Sequence, residues 1–193
     1  MRLLDILLGR SKPAAPDLDQ LFGLPSAAIT LQAAVGHTPT GLGSVCFAST
    51  EGAAFAEVQR EVRALLDADT ERGDVPVEFS RDEYGYSWLL SRRGPDDLPA
   101  LVNDLHAVNS GLQDSGFGPQ LLCSLVTFRA TGGPAPLALV YLYKRGTFYP
   151  FAPTTGHRRD NALELRVRAA LRDDLRIEPE LSRWFPVWGA PGL

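Results

Sequence analysis

The sequence contains few of the residues that mark secreted, membrane-spanning or nucleic-acid-binding proteins. Only two cysteines occur, Cys46 and Cys123, too few for the disulfide framework of a small secreted domain. No apolar run reaches the length of a membrane-spanning helix, and the leucine-rich start, interrupted by Asp5, is too short for a secretory signal. The net charge of −4 and the isoelectric point of about 5.4 argue against a large DNA or RNA surface. We therefore expect a cytoplasmic protein.

Motifs for catalysis and cofactor binding are also scarce. The glycine-containing segment T-G-L-G-S matches neither phosphate-binding template, and the three histidines have no metal-ligand spacing with the cysteines. His106 is interpreted as a core or boundary residue of a helix. The acidic pairs Asp96/Asp97 and Asp173/Asp174 are explained by the beginning and the end of helices. We predict no catalytic residue, no metal and no cofactor.

Each cysteine stands inside an apolar run with strand character, S-V-C-F-A and L-L-C-S-L. A free cysteine behaves as a small buried hydrophobe. Two unlinked thiols in the core are therefore expected, with a disulfide between them as the alternative.

The first residues of the chain predict a short amphipathic helix. Leu3, Leu4, Leu7 and Leu8 fall on one helical face, and Gly9 and Pro13 follow as helix breakers. So short a helix is unstable alone in water and needs a docking surface, on the same chain, on a partner or at a lipid interface. We assign residues 1–16 to this helix and its linker, and residues 17–193 to a single domain.

The remaining sequence alternates between strand and helix patterns. Thr50, Pro95 and Asp160 are typical of helix starts. Strands are predicted for 27–35, 43–49, 75–80, 84–92, 120–129 and 137–144, and helices for 18–22, 51–67, 95–113 and 161–172. Strand pairs joined by short turns favour an α+β fold: a largely antiparallel sheet with helices packed on one face, built as repeated strand-strand-helix units.

The segment Tyr141–Pro153, Y-L-Y-K-R-G-T-F-Y-P-F-A-P, combines an aromatic cluster with a basic pair. Such a cluster is either a core strand or a recognition surface. Its likeness to an RNA-binding motif fails at Thr147 and Phe148, and Pro150 is excluded from a central strand. No nucleic-acid partner is predicted.

Two features near the carboxyl end have competing interpretations. The arginine-rich last helix is interpreted as a solvated face that compensates its own charge, with a surface for an acidic partner or anionic lipid as the alternative. The aromatic tail with Trp184, Phe185 and Trp188 is expected to pack back on the sheet; the alternative is that it anchors a partner.

Three groups of segments together resemble one known family. They are L-L-D-I-L-L-G-R-S-K-P with P-D-L-D-Q-L-F-G-L-P-S-A; Y-G-Y-S-W-L-L with N-D-L-H-A-V-N and G-F-G-P-Q-L-L-C; and Y-L-Y-K-R-G-T-F-Y-P-F-A-P with R-D-N-A-L-E-L and R-W-F-P-V-W-G-A-P-G-L. The likeness to the PspA-associated PspAB family runs nearly from end to end. The resemblance implies a role in the phage-shock-protein A response to membrane stress, with PspA and the membrane protease HtpX as partners. It implies no catalytic residues.

Two hypotheses of function follow, with an enzyme ranked below both. The first is a non-enzymatic adaptor that touches its partner, or the inner face of the membrane, through apolar area flanked by positive charge. The candidate contact residues are Leu4, Leu7, Leu8, Lys144, Arg145, Phe148 and Tyr149. The second is a chaperone-like module, with a secretion-chaperone or YbjN-like fold, that holds a client polypeptide. The oligomeric state is not predicted.

Overall fold

A computed structural model of the chain describes residues 16–49, 52–69, 75–133 and 135–193. Within these ranges the helices are α1 (Leu24–Val35), α2 (Ala53–Asp67), α3 (Leu98–Leu112) and α4 (Asn161–Leu171). The main sheet contains β1 (His37–Ala48), β2 (Glu78–Arg81), β3 (Tyr86–Arg92), β4 (Leu121–Ala130), β5 (Pro136–Leu142) and β6 (Thr147–Phe151). The short strands β7 (Pro153–Thr154) and β8 (Arg158–Arg159) pair separately.

The main sheet has the order β2-β3-β1-β4-β5-β6, and every neighbouring pair is antiparallel. The long central strand β1 pairs with both β3 and β4. Because side chains alternate between the two faces of a strand, the sheet has an inner face against the helices and an outer face away from them. The predicted α+β class, with an antiparallel sheet and helices on one face, is confirmed.

The inner face and the helices share one apolar core. The predicted stripe on α3 is entirely buried there: Leu98, Leu101, Val102, Leu105, Val108 and Leu112. Spacing of three and four residues brings such positions onto one side of a helix, which explains why this element was predicted well. Asp160 begins α4 as expected, because its Oδ1 accepts a hydrogen bond of 2.9 Å from the backbone N–H of Leu163.

A bulge near the start of β1 depends on glycine. The register of β1 on β4 shifts between Pro39 and Gly43, and within that stretch Gly41 has a φ of 82°. A Cβ atom at Gly41 would overlap the carbonyl oxygen of Arg93. Glycine alone combines this left-handed backbone with so close an approach of another chain segment.

The prediction of a strand over 27–35 was wrong, because these residues belong to α1. Pro25 stands in the first turn of this helix, where its missing N–H costs nothing, instead of closing the preceding turn. Leu24, Ala27, Ala28 and Leu31 are buried with helical spacing. Ile29 points into solvent, and its β-branched side chain, which favours strands, contributed to the wrong prediction.

Strand β6 was not predicted, since Pro150 argued against a strand. Pro150 is tolerated because β6 is the last strand of the sheet. The free side of β6 is covered at Phe148, whose N–H donates to Arg176 O at 2.8 Å and whose carbonyl accepts from Glu178 N at 2.7 Å. A parallel bridge to Ile177 thereby closes this edge of the sheet.

In the described ranges, the predicted strand-strand-helix order occurs within the main sheet as β2-β3-α3 and is altered in the units on either side. The helical segment 27–35 removes one strand from the first unit, and β6 adds one to the last. The predicted helix around Leu3–Leu8 and the predicted cap at Thr50 lie outside the described residues.

Candidate functional site

The outer face of the sheet forms a second apolar cluster, separate from the helix-packed core. The strands contribute Cys46, Trp88, Cys123, Leu125, Ala138, Val140, Tyr149 and Phe151. Instead of a helix, the segment after α4 lies against this face and buries Trp184 and Ala190 in the cluster. We call residues 176–193 the covering segment. Packing of its tryptophans on the sheet agrees with the prediction for the aromatic tail.

Hydrogen bonds hold the covering segment in place. The indole Nε1 of Trp184 donates to Glu178 O at 3.0 Å, and the Trp184 carbonyl accepts from Arg159 Nη1 at 2.5 Å. The Tyr149 hydroxyl, on the sheet, donates to Phe185 O at 2.8 Å. The rings of Tyr149 and Trp184 stack with their centroids 6.1 Å apart. The path of the segment is therefore fixed by both polar and apolar contacts.

A cavity of about 770 Å³ remains where the covering segment leaves part of the outer face open. One wall consists of Tyr84, Tyr86 and Trp88, from β3 and the turn before it. Phe185, Val187 and Trp188, from the covering segment, also line the cavity. We call this cavity the outer-face pocket. Its volume and largely apolar lining are typical of sites that bind small molecules or apolar side chains.

Asp82 fixes the aromatic wall of the outer-face pocket. Its Oδ2 accepts a hydrogen bond of 2.8 Å from Trp88 Nε1. Its Oδ1 accepts from the backbone N–H groups of Tyr84 and Tyr86 at 3.0 and 2.9 Å. A carboxylate with three donors holds both the turn and the indole ring. Asp82 therefore has a positioning role in the pocket.

Cys46 and Cys123 lie side by side in the lining of the pocket. They are direct register partners across β1 and β4, and both are free and buried. The hydrogen bond with Cys123, together with burial, raises the pKa of the Cys46 thiol. The prediction of two unlinked core thiols is confirmed. That they face each other was not evident from either sequence run.

The predicted contact residues near the β5–β6 turn have very different environments. The rings of Phe148 and Tyr149 are fully buried, and Phe148 packs against Tyr141 with centroids 5.1 Å apart. Of the two interpretations of this segment, the core strand is the one that the structure shows. Lys144 is exposed on the turn. Leu4, Leu7 and Leu8 lie outside the described residues.

Arg145, the other predicted contact residue, is held by an ion pair. Its Nε donates to Oε2 of the fully buried Glu178 at 2.6 Å, and the Thr147 hydroxyl donates to the same oxygen at 2.8 Å. Burial works against ionisation of Glu178, but the hydrogen bonds from Arg145, Thr147 and the Glu180 N–H outweigh it and lower the pKa of this carboxyl. Arg145 thus contributes to the structure of the turn.

The remaining candidates from the sequence do not gather into a metal centre. Among the described ranges, no three or more His, Cys, Asp or Glu side chains are placed to hold a metal ion. His106 lies at the core boundary, with the ring of Phe22 tilted against its own at a centroid distance of 4.8 Å and Asp19 Oδ1 3.6 Å from its Nε2. None of the helices in the described part of the chain is both long and apolar enough to cross a bilayer.

Sequence reasoning missed the outer-face pocket, since its lining comes from five strands and the covering segment. Strand alternation placed Tyr86 and Trp88 on one face, which was the available local signal. Comparison with known proteins adds one match. The model of the family described as PspAB, PspA associated protein B, matches residues 1–192. No curated protein and no solved structure matches the chain.

Proposed function

The chain belongs to the PspAB family, and we propose that it is a non-enzymatic accessory protein of the PspA-linked response to membrane stress, acting as an adaptor that binds PspA. The observation that carries this proposal is the family match, which spans residues 1–192 and whose description contains the association with PspA. We further propose a cytoplasmic location with contact at the inner face of the membrane. The membrane protease HtpX is a further candidate partner.

The proposed contact surface combines the two regions that the sequence suggested. Residues 1–15 join the described body at Pro16 and Asp17. The Asp17 carbonyl accepts a hydrogen bond of 2.8 Å from the Tyr141 hydroxyl, and Gly146 of the β5–β6 turn lies beside Asp17. The described part of the chain therefore begins next to the turn that exposes Lys144. We propose that Leu4, Leu7 and Leu8 supply the apolar part and Lys144 the basic part of one contact surface.

Arg176 adds a further positive charge at this junction, since its Nη1 lies 3.6 Å from Asp17 Oδ2. Apolar side chains next to basic ones suit an amphipathic helix of a protein partner that carries acidic residues. Phe148 and Tyr149 are buried and contribute to this surface only through the packing of β6. They are not proposed to touch the partner.

The test is a binding titration of the purified full chain with purified PspA. Replacing Leu4, Leu7 and Leu8 together by Asp should weaken binding by at least about tenfold, because central apolar contacts dominate interface energies. Lys144→Glu should weaken binding less than the leucine variant does, and its effect on the affinity should be larger at low salt than at high salt. Ile29→Asp is the matched control, since Ile29 is 73% exposed on α1 and remote in sequence from both regions.

Circular dichroism of each variant shows whether the fold is retained. Equal affinity of the wild type and of the leucine variant would eliminate the N-terminal contact, and absence of any PspA binding by the wild type would refute the adaptor proposal. Flotation with vesicles containing phosphatidylglycerol tests the membrane contact separately.

A second candidate function, a chaperone-like module, is favoured by the outer-face pocket. Exposed rings at Tyr84, Tyr86 and Phe185 border an apolar cavity that could receive side chains of an extended client. The wild type should then suppress the aggregation of a model client in light-scattering assays. Leu122→Asp, which places a charge in the pocket lining, should abolish this effect without weakening PspA binding. Absence of suppression by the wild type rules this candidate out.

A further inference from the structure

The two cysteines of the chain are held in a geometry suitable for a covalent link. Cys46 and Cys123 are direct partners in the β1–β4 register. Directly opposed residues on antiparallel strands have Cα atoms about 4.5–5.5 Å apart, and disulfides span about 4.4–6.8 Å between Cα atoms. Opposed residues also project from the same face of a sheet, and both side chains belong to the outer-face cluster. The register therefore gives the two residues a spacing in the range of disulfides.

The same pair is accessible to small molecules. Both residues contribute to the lining of the outer-face pocket, whose volume of about 770 Å³ exceeds that of a small oxidant many times over. Cys123 has a relative exposure of 8% and Cys46 of 4%. The other side chains that line the pocket are aromatic or aliphatic, apart from the carboxylate of Asp82, and none of them is a thiol. Each thiol therefore has the other as its nearest reaction partner.

We propose that Cys46 and Cys123 form a redox-sensitive site, which closes to an intramolecular disulfide when a peroxide enters the outer-face pocket. The proposal does not depend on the adaptor function. Two unlinked buried thiols are the simpler interpretation, but their register and their common position in an open cavity are not required for packing alone.

The reaction balances with hydrogen peroxide as the oxidant. The Cys123 thiolate attacks a peroxide oxygen, which gives a sulfenic acid on Cys123 and hydroxide that takes up a proton to become water. The Cys46 sulfur then attacks the sulfenic sulfur; the new sulfur–sulfur bond forms as the hydroxyl leaves and combines with the Cys46 proton as a second water. Two thiols are oxidised and one peroxide is reduced.

The order of the two residues follows from their exposure to the outer-face pocket. Cys123 is the more exposed of the two, at 8% against 4% for Cys46, so the oxidant reaches it first. The neighbouring Cys123 thiol and burial raise the pKa of the Cys46 thiol, so Cys46 retains its proton until it attacks. Cys123 is therefore the attacking residue and Cys46 the resolving one. Since the reactive species is the thiolate, oxidation should accelerate as the pH rises.

The test uses the reduced full-length chain, treated with hydrogen peroxide and followed by intact-mass spectrometry. We expect a loss of two hydrogen atoms that dithiothreitol reverses. Trypsin should then release peptide 11–60 linked to peptide 94–129, since each contains one cysteine and no internal cleavage site other than the resistant bond before Pro13. The variant Cys46→Ser should stop at a sulfenic acid that dimedone labels, whereas Cys123→Ser should react much more slowly.

Three outcomes would overturn the proposal. One is a gain of oxygen by the folded wild type without the two-hydrogen loss. Another is formation of covalent dimers instead of the internal link. The third is an unchanged mass of the folded chain under conditions in which the urea-unfolded chain forms the link. These outcomes concern the wild type and remain decisive even if a serine variant fails to fold. Equal dimedone labelling of the two variants would overturn the assigned order.

Discussion

Arg145 Nε lies 2.6 Å from Oε2 of Glu178, and this ion pair joins the β5–β6 turn to the covering segment. The Arg183 Nη1 atom lies 3.5 Å from the other carboxylate oxygen, Oε1. One buried carboxylate thus connects an arginine before β6 with an arginine near the aromatic tail. Arg145, one of the two basic residues in the segment Tyr141–Pro153, is therefore held by an acidic residue, Glu178, that is distant in sequence.

We expect Glu178→Gln to destabilise the protein. Replacement keeps the shape of the side chain but removes the charge that Arg145 and Arg183 contact, which should lower the free energy of unfolding by about 1.5–3 kcal/mol. Urea unfolding measures the change. Glu180→Gln, at an exposed neighbouring position, is the control and should leave the free energy within about 0.5 kcal/mol of the wild type. Equal stability of the two variants would contradict the role of Glu178.

The contribution of Glu178 should depend on pH with a defined sign. The folded-state pKa of Glu178 is lowered from its ordinary value of 4.5, so the folded state favours the carboxylate. The stabilisation is then complete above the unfolded pKa and is lost as the pH falls through the lower folded pKa. Urea unfolding at a series of pH values should show the difference between wild type and Glu178→Gln shrinking below 4.5. A difference that grows on acidification would be inconsistent with this linkage.

Trp184 and Phe185 offer a matched test of the covering segment. Trp184 is buried against Tyr149, and Trp184→Ala should lower the free energy of unfolding by about 3–5 kcal/mol. Phe185 is 59% exposed, and Phe185→Ala should change the free energy of unfolding by less than about 0.5 kcal/mol. Chemical denaturation followed by circular dichroism compares the two. If both variants were equally stable, the segment would not be packed as described.

The bulge in β1 should not tolerate a side chain at Gly41. Alanine would combine a left-handed backbone with an overlap against the Arg93 carbonyl, so Gly41→Ala should cost about 2–4 kcal/mol. Gly133→Ala serves as the control, because Gly133 has open space and no positive φ. Thermal unfolding should show a lower midpoint for the first variant only. A midpoint equal to that of the wild type would mean that the bulge can relax.

The elements with a strong local pattern were predictable from the sequence. Helix α3 was recognisable from its apolar stripe, but it begins at Leu98, with Pro99 in its first turn, and the predicted start at Pro95 was wrong. Helix α4 has an aspartate cap, so its start is specified by its own residues. Helix α1 was missed because Ile29 and Thr30 favour strands locally, whereas burial of Ala27 and Leu31 depends on packing against the rest of the fold. Tertiary contact outweighs propensity there.

The candidate site was less predictable because its residues meet only through the sheet. The run around each cysteine predicts a buried strand, but nothing in either run specifies that β1 pairs with β4 in the register that opposes them. The burial of Phe148 and Tyr149 likewise depends on residues 176–184, which supply both the edge pairing and the stacked indole. Long-range pairing of this kind leaves no periodicity in a single segment.

Chain order has a consequence for biosynthesis. All six strands of the main sheet are translated before residue 176, so a ribosome-attached chain displays the apolar surface around Trp88, Leu125 and Val140 before its cover exists. Nascent chains in this interval should be prone to aggregation and should depend on chaperones that bind unfolded chains. Translational stalling between α4 and Trp184 should therefore favour aggregation over completion of the fold.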